Sequence, residues 1–338
     1  MDRKQQHILQ FGLLAAALAL PFFISNPFSL HTLILIYLYA LLGMGWNILG
    51  GYTGQASLGH AVYFGIGAYT STCLFLWFGL TPWIGMLAGM FFAVIASQIV
   101  GFPCFKLSGH YFSIATLCVG EIVRVLFVNW NLVGGATGLE LPTSYSFLNF
   151  QFSSKIPYYY IILGFLVLSV IVTTIIERRR LGYYFRAIKL DQDAARSLGI
   201  NAAKYKMIAI AISTAITAAG GSFYAQYVMY IDPESVFIGH LSILMCLISV
   251  LGGTDSKWGP LIGAAFLIPA SEMTRAHLAG FGQGLDLLLY GTLIMAIAAF
   301  QPRGVMGLLN RLSGRLSERL SGRLTGRPSG RAGGRSVI

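Results

Sequence analysis

The chain has 338 residues, of which 56% are hydrophobic and only 10% are charged, and its mean hydropathy is +0.70. These values exclude an ordinary soluble domain and indicate a polytopic membrane protein. No polar segment is long enough for an extramembrane catalytic domain, and the four cysteines stand apart without metal-ligand spacing, so we predict neither an enzyme nor a metal site.

Apolar runs close to the length that crosses a bilayer recur along the whole chain. We predict ten membrane-spanning helices in an all-α fold, at residues 8–24, 30–49, 58–78, 83–102, 111–130, 157–176, 207–230, 236–251, 259–273 and 285–300.

The distribution of Lys and Arg sets the predicted orientation. Basic residues concentrate near the N-terminus, between 178 and 206, and after 303, and the positive-inside rule places all three in the cytoplasm. An even number of crossings must then separate them, so the charged run 111–130 counts as a span. We expect both termini inside and 131–156 outside. Trp130 and the run Tyr158, Tyr159, Tyr160 are expected to form an outer aromatic belt on either side of that loop.

A stretch rich in glycine and polar residues follows the second predicted span. Gly54, Gln55, Ser57 and His60 interrupt sequence that would otherwise be apolar. Small residues permit a broken or re-entrant backbone, and polar side chains supply hydrogen bonds at membrane depth. The stretch therefore predicts the lining of a solute path, with close helix packing as the alternative.

The fifth predicted span carries an ionisable pair. Glu121 and Arg124 are three residues apart on one helix face and can neutralise each other. Charged residues within a span face the protein interior or water, which makes the pair a second candidate for the solute path. An internal pair that only fixes helix packing is the alternative.

Residues 177–206 form the long polar loop between the two apolar halves. Asp191 is predicted to cap a short helix on which Ala194, Ala195 and Leu198 share a face, and Gly199 supplies a left-handed stop. With Asp193 and Arg196, these residues predict a docking helix for a cytoplasmic partner. The alternative is an amphipathic turn at the membrane surface without a partner.

From Arg311 the sequence repeats in groups of four, with seven arginines and one glutamate. We predict a transmembrane domain over 1–308, with its cytoplasmic loop at 177–206, and a disordered low-complexity cytoplasmic tail over 309–338. The alternative for the tail is a helix on anionic lipid. Because the tail is tethered to the membrane, nucleic-acid binding is not predicted.

Several of these motifs occur together in one known family. The polar stretch contains GYTGQ, SLGHA and FGIGAY, the fifth span contains ATL followed by GEIVR and NW, the loop contains RAI followed by AARSLGIN, and the late part contains LGG, WGP and PRG. In this order the motifs resemble LivM-type permease subunits of branched-chain amino-acid ABC transporters, in the LivH/LivM permease family. The resemblance extends from Gly45 to Leu308.

The resemblance implies a permease like those of type II ABC importers, which imports branched-chain amino acids across the bacterial inner membrane and needs no cofactor. It also implies LivG/LivF-type ATPase subunits docked on the coupling loop, a LivH-type second permease and a periplasmic substrate-binding protein. A urea or short-chain amide permease is the alternative solute class. An ion-coupled secondary transporter is a further alternative, but the spans hold few charges and that function would leave the capped loop helix unexplained.

Overall fold

The computed structural model describes residues 26–107, 109–254 and 256–278, together with positions 12, 15, 17–21 and 291–292; for 274–278 it describes the backbone only. In chain order the helices are α1 (Pro27–Thr53), α2 (His60–Phe78), α3 (Pro82–Cys104), α4 (His110–Val128), α5 (Lys155–Arg178), α6 (Arg180–Leu190), α7 (Gln192–Ser197), α8 (Ala202–Val228), α9 (Pro233–Val236), α10 (Gly239–Gly252) and α11 (Gly259–Leu278).

The remaining regular structure is small. Two antiparallel strands of two residues, β1 (Leu139–Glu140) and β2 (Tyr230–Ile231), pair between the loop after α4 and the end of α8. Two 3-10 turns, Asn131–Val133 and Gly135–Thr137, precede β1. The prediction of an all-α polytopic membrane protein is confirmed.

Seven of the described segments are long and apolar enough to cross a membrane: α1 to α5, α8, and α9 with α10 taken together. A shorter apolar helix, Gly259–Met273, forms most of α11. These eight segments match the second to ninth predicted spans. The first and tenth, 8–24 and 285–300, lie largely or wholly outside the described residues, so the number ten stays a prediction.

The helices alternate in direction between two ends of the bundle. We call the end that carries the 177–206 loop the basic end and the end that carries 129–154 the far end. The ammonium of Lys155 donates to the carbonyl of Pro27 at 3.4 Å, which sets the starts of α5 and α1 side by side at the far end. The hydroxyl of Tyr52 donates to the carboxylate of Glu177 at 2.7 Å, which joins α1 and α5 at the basic end.

The core lies where α1, α2 and α8 meet. Of the most apolar 18 residues of α1, 78% are buried. In α4 the corresponding share is 17%, so α4 is largely peripheral. Helices α2 and α8 pack backbone against backbone. A Cβ placed on Gly67 would lie 2.1 Å from the carbonyl oxygen of Ala218, and one on Gly221 would lie 2.0 Å from that of Phe64. No larger residue fits at either position without separating the two helices.

Tyr158 and Tyr159 are buried, so their predicted place in an exposed aromatic belt is wrong. The Tyr159 hydroxyl donates to the carbonyl of Ala17 at 2.6 Å and, having one hydrogen, accepts from the Tyr37 hydroxyl at 3.1 Å. Because α1 and the segment around residue 17 cover this face of α5, the rings satisfy their hydroxyl groups inside the protein. Trp130, at the end of α4, remains about half exposed.

Candidate functional site

The short helix of the polar loop has the two ends that its sequence predicts. The Asp191 carboxylate accepts from the backbone N–H groups of Asp193 at 2.9 Å and Ala194 at 3.0 Å. At the other end Gly199 has φ +83°, its N–H donates to the carbonyl of Arg196, and the next N–H donates to that of Ala195. This pair of bonds is a Schellman motif, which satisfies the last helical carbonyls. Both predicted ends of α7 are confirmed.

The predicted apolar face of α7 is divided between two sides. Ala195 is 2% exposed and packs with Ile188 and Ala202, whereas Ala194 is exposed and Leu198 is 81% exposed. Adjacent residues on a helix point about 100° apart, so Ala194 and Ala195 cannot share a narrow face. The expectation that the three side chains form one surface is wrong. Ala195 fixes α7 to the protein, and Ala194 and Leu198 face outward.

Two further apolar side chains beside α7, neither of them predicted from the sequence, are exposed. Leu190 is 87% exposed and Tyr183 is 67% exposed, both on α6. The buried positions of α6 are Gly182, Phe185 and Ile188. Their spacing of three residues would have placed Tyr183 and Leu190 off the buried face. Leu190, Leu198 and Tyr183 are therefore exposed apolar side chains among the basic residues of this end.

The polar stretch after α1 begins at the basic end and enters the core. Helix α1 stops at Thr53, and Gly54 takes φ +72°, a backbone conformation that suits glycine. Gly54 lies against Lys189 of α6: a Cβ built on it would be 3.2 Å from that side chain. Residues 54–59 are not helical, and α2 starts at His60. Gly54 is exposed and Gln55 is partly buried.

Neighbouring helices hold the non-helical segment in place. The hydroxyl of Ser113 in α4 donates to the carbonyl of Ala56 at 2.6 Å, and that of Thr116 accepts from the N–H of Leu58 at 3.0 Å. The indole N–H of Trp46 donates to the carbonyl of Ser57 at 2.7 Å. These bonds satisfy backbone groups that lie outside any helix, as a non-helical segment within membrane sequence requires.

His60, at the start of α2, is fully buried. Its Nε2 lies 2.8 Å from the hydroxyl of Ser213, which itself donates to the carbonyl of Gly45 at 2.6 Å. A serine hydroxyl has one hydrogen, so His60 must carry its proton on Nε2 and act as the donor. The next N–H, of Ala61, donates to the hydroxyl of Ser242 in α10 at 2.8 Å. His60 and Ser57 are thus enclosed, while Gly54 and Gln55 are accessible.

The charged pair of α4 is joined by a third residue that the sequence analysis missed. Arg124 donates from Nε to both carboxylate oxygens of Glu121, at 3.0 and 3.1 Å, and from a terminal nitrogen to Glu234 of α9. The side chains of Glu121 and Glu234 are 52% and 58% exposed, and that of Arg124 is 22% exposed. The predicted pairing is confirmed, but the group carries one excess negative charge. The one local feature that could have indicated Glu234 was the sequence DPES, in which Asp232 caps the short helix α9.

Helix α4 brings the two predicted parts of the path onto one stripe. Ser113 and Thr116 contact the non-helical segment, Gly120 lies near Gly59, and Arg124 follows one turn later. Thr116 and Arg124 are about 12 Å apart along the helix at 1.5 Å per residue. The enclosed segment thus lies beside the part of α4 nearer the basic end, and the exposed ion-pair group lies one to two turns further toward the far end.

A cavity of about 410 Å³ at the far end contains none of the predicted site residues. It lies between α1, α5 and α8, beside His31, Lys155 and Tyr227.

Within the described ranges no group of three or more His, Cys, Asp or Glu side chains is placed to hold a metal ion.

Comparison with known proteins supports the same family as the sequence motifs. Residues 28–298 match the model of the branched-chain amino acid transport system permease component. The high-affinity branched-chain amino acid permease LivM of Escherichia coli K12 is 29% identical, and that of Salmonella typhimurium is 30% identical; each alignment covers 89% of this chain and 75% of the relative. LivH of Salmonella typhimurium is 24% identical over 80% of this chain and 91% of its own length.

No solved structure matches the chain at a significant level. The family match covers most of the chain, including α2 to α11, all of α1 except its first residue, and all of the predicted site residues. The chain therefore belongs to the family of permease components of branched-chain amino acid transport systems.

Proposed function

We propose that the chain is the membrane permease subunit of an ABC importer that carries leucine, isoleucine and valine into the bacterial cytoplasm. The observation that carries the proposal is the family match over residues 28–298, supported by LivM relatives whose names specify this transport. Separate LivG/LivF-type ATPases hydrolyse the ATP. A LivH-type permease completes the pore, and a periplasmic binding protein delivers the solute.

The ATPases dock on α7 at the basic end. Ala194 and Leu198 face outward from a helix that Asp191 and Gly199 hold at both ends, and Asp193 pairs with Arg196 at 3.3 Å on the same exposed surface. A short, doubly capped helix keeps its shape without a partner, so little ordering entropy opposes docking. Exposed leucine among basic residues fits an apolar groove with an acidic rim.

The solute passes along the stripe of α4 described above. The group of Glu121 and Arg124 on α4 and Glu234 on α9 presents charges of both signs, with the two carboxylates exposed. Such a group suits the ammonium and carboxylate of an amino acid better than a neutral amide or urea. Gly54 and Gln55 are accessible and line the path nearer the basic end, while Ser57 and His60 are enclosed and hold the segment in place. A face that carries exposed charges in a membrane helix does not favour lipid, so the LivH-type subunit and the solute path lie against it.

The positive-inside rule places the basic end, both termini and the tail in the cytoplasm. The far end, with the loop 129–154, then faces the periplasm, where the binding protein docks. This orientation puts the solute entrance at the exposed ion-pair group of α4 and the ATPase site at α7, on opposite sides of the membrane.

Reconstitution of the whole complex tests the proposed function. The chain, a LivH-type permease and both ATPases are inserted into proteoliposomes with binding protein outside and ATP inside. Labelled leucine, urea and acetamide are then offered separately. We expect leucine to accumulate only with both ATP and binding protein. Accumulation of urea or acetamide in place of leucine would reassign the solute, and accumulation driven by an ion gradient without ATP would reject the ABC mechanism.

A further inference from the structure

Lys206 is a buried cation at the junction of the docking helix and the membrane helices. It lies in the second turn of α8 and is 2% exposed. Its ammonium donates to the side-chain carbonyl of Gln192, the first residue of α7. Among the described residues no carboxylate lies within ion-pair distance of it. Burying an ammonium without a carboxylate partner costs free energy, which makes its hydrogen bond to Gln192 important for the folded state.

The same ammonium reaches the corner between α3 and α4. It lies 5.8 Å from the centre of the Phe105 ring, and that ring stacks on Phe112 of α4 at 5.2 Å with the planes 9° apart. In the next residue of α8, the carbonyl of Met207 accepts from the amide of Gln98 in α3 at 3.3 Å. One side chain therefore contacts α7, belongs to α8, and faces the ring that closes the α3–α4 turn.

Helix α7 has two described attachments to the membrane helices. One is the small apolar cluster of Ile188, Ala195 and Ala202, and apolar contact has no preferred direction. The other is the Lys206–Gln192 hydrogen bond, which is directional and charge-assisted. Because Lys206 is buried, its side chain is held by its surroundings, and a displacement of α7 that keeps this bond pulls on the start of α8 and on the α3–α4 corner.

We propose that Lys206 is a positioning residue that transmits movement of the ATPase-docked helix α7 to α8 and to the α3–α4 corner, and hence to the solute path along α4. The inference rests on the proposed function. It adds that the hydrogen bond to Gln192, rather than docking alone, links ATP hydrolysis to opening of the path.

The test compares both ends of the bond in the reconstituted complex. Lys206→Met keeps most of the length of the side chain and removes its donors, Gln192→Leu removes the acceptor, and Lys206→Arg keeps a cationic donor. Lys204→Met is the matched control, because Lys204 is exposed on the same turn of α8. The measurements are ATPase retained on the permease, rate of ATP hydrolysis, and leucine imported per ATP.

We expect Lys206→Met and Gln192→Leu to retain the ATPases and hydrolyse ATP but to lower leucine imported per ATP by roughly tenfold, the scale of one charge-assisted hydrogen bond. The double variant should lose no more than either single variant. Lys206→Arg should restore most of the ratio, and Lys204→Met should not change it.

A ratio equal to that of the control in Gln192→Leu would overturn the proposal, even if Lys206→Met failed to assemble. A transport loss explained by released ATPase, with a normal ratio in the complexes that remain, would also overturn it. Failure of the unmodified complex to import leucine with ATP would instead reject the proposed function.

Discussion

Two polar residues of the 54–60 segment have different surroundings and so different expected roles. His60 is enclosed and donates to Ser213, which makes it part of the packing between α2 and α8. Gln55 is only partly buried, and its described hydrogen bond, to the carbonyl of Thr53, is long at 3.5 Å. A bond of that length holds the amide weakly. Gln55 is therefore the better placed of the two to meet a solute.

Gln55→Leu should lower leucine uptake between roughly twofold and tenfold, the effect of losing one hydrogen bond to the solute. The substitution keeps similar bulk at a partly buried position, so assembly and basal ATP hydrolysis should not change. Uptake and ATPase rates in proteoliposomes measure both effects. Thr32→Val is the control, since it removes a partly buried hydroxyl from the far end of α1. Uptake unchanged from that control would assign the segment to packing.

For a single residue, the sequence predicts the structural role correctly when that role depends on residues close to it in the chain. Asp191 and Gly199 act on backbone groups within five residues, so their roles as cap and stop follow from the local sequence. Ala195 is different, because its burial depends on Ala202 at the start of α8 and on Ile188 in α6. Glu234 joins Arg124 from 110 residues away. No local pattern reveals such partners.

At the scale of the helix, α7 presents one side outward and packs its other side against the protein. A charge at Ala195 would disrupt the apolar cluster that holds α7, so its effect would not distinguish docking from folding. Leu198 is the suitable position, because its side chain is 81% exposed and a substitution there leaves the fold intact.

Leu198→Arg should weaken ATPase binding by roughly tenfold or more, since docking would bury this leucine and the arginine cannot be buried unpaired. The thermal stability of the isolated permease should remain unchanged. Titration of the detergent-solubilised permease with ATPase measures the affinity. Leu148→Arg, at a leucine 64% exposed near the far end, is the control. If both variants bind ATPase equally well, α7 does not form the docking surface.

Predicted spans and observed helices agree closely where the apolar run is continuous. The run 58–78 corresponds to α2 at His60–Phe78, and 83–102 to α3 at Pro82–Cys104. Length and hydropathy suffice there because the bilayer sets both. The course of residues 54–59 could not be predicted, since bonds from Trp46, Ser113 and Thr116 determine it.

For the whole molecule, the described membrane segments alternate in direction along the chain, five before the polar loop and three after it. The even numbers of crossings that the basic residues require depend also on the first and tenth predicted spans, so they stay a prediction. The sequence predicts this order because each long apolar run must cross and return. It does not determine which helix is central. That position falls to α1, through close contacts with α8 and α11 that a hydropathy profile does not contain.

The proposed orientation predicts which end reacts with a reagent that cannot cross the membrane. In a variant whose four native cysteines are replaced by serine, Leu148→Cys should be labelled by an impermeant maleimide in intact cells. Leu190→Cys, 87% exposed at the basic end, should be labelled only after the membrane is permeabilised. The opposite pattern would reverse the orientation and remove α7 from the cytoplasm.

The hydrogen bond from Ala61 to Ser242 has a consequence for the order of assembly. The two residues are 181 positions apart, so the group that caps α2 is made long after α2 itself. At 5–20 residues per second, the ribosome needs roughly 10 to 40 s to add the intervening chain. During that interval the first turn of α2 lacks its final acceptor. The mature arrangement of α2 can therefore form only after α10 has entered the membrane, which makes this half of the protein dependent on completion of the other.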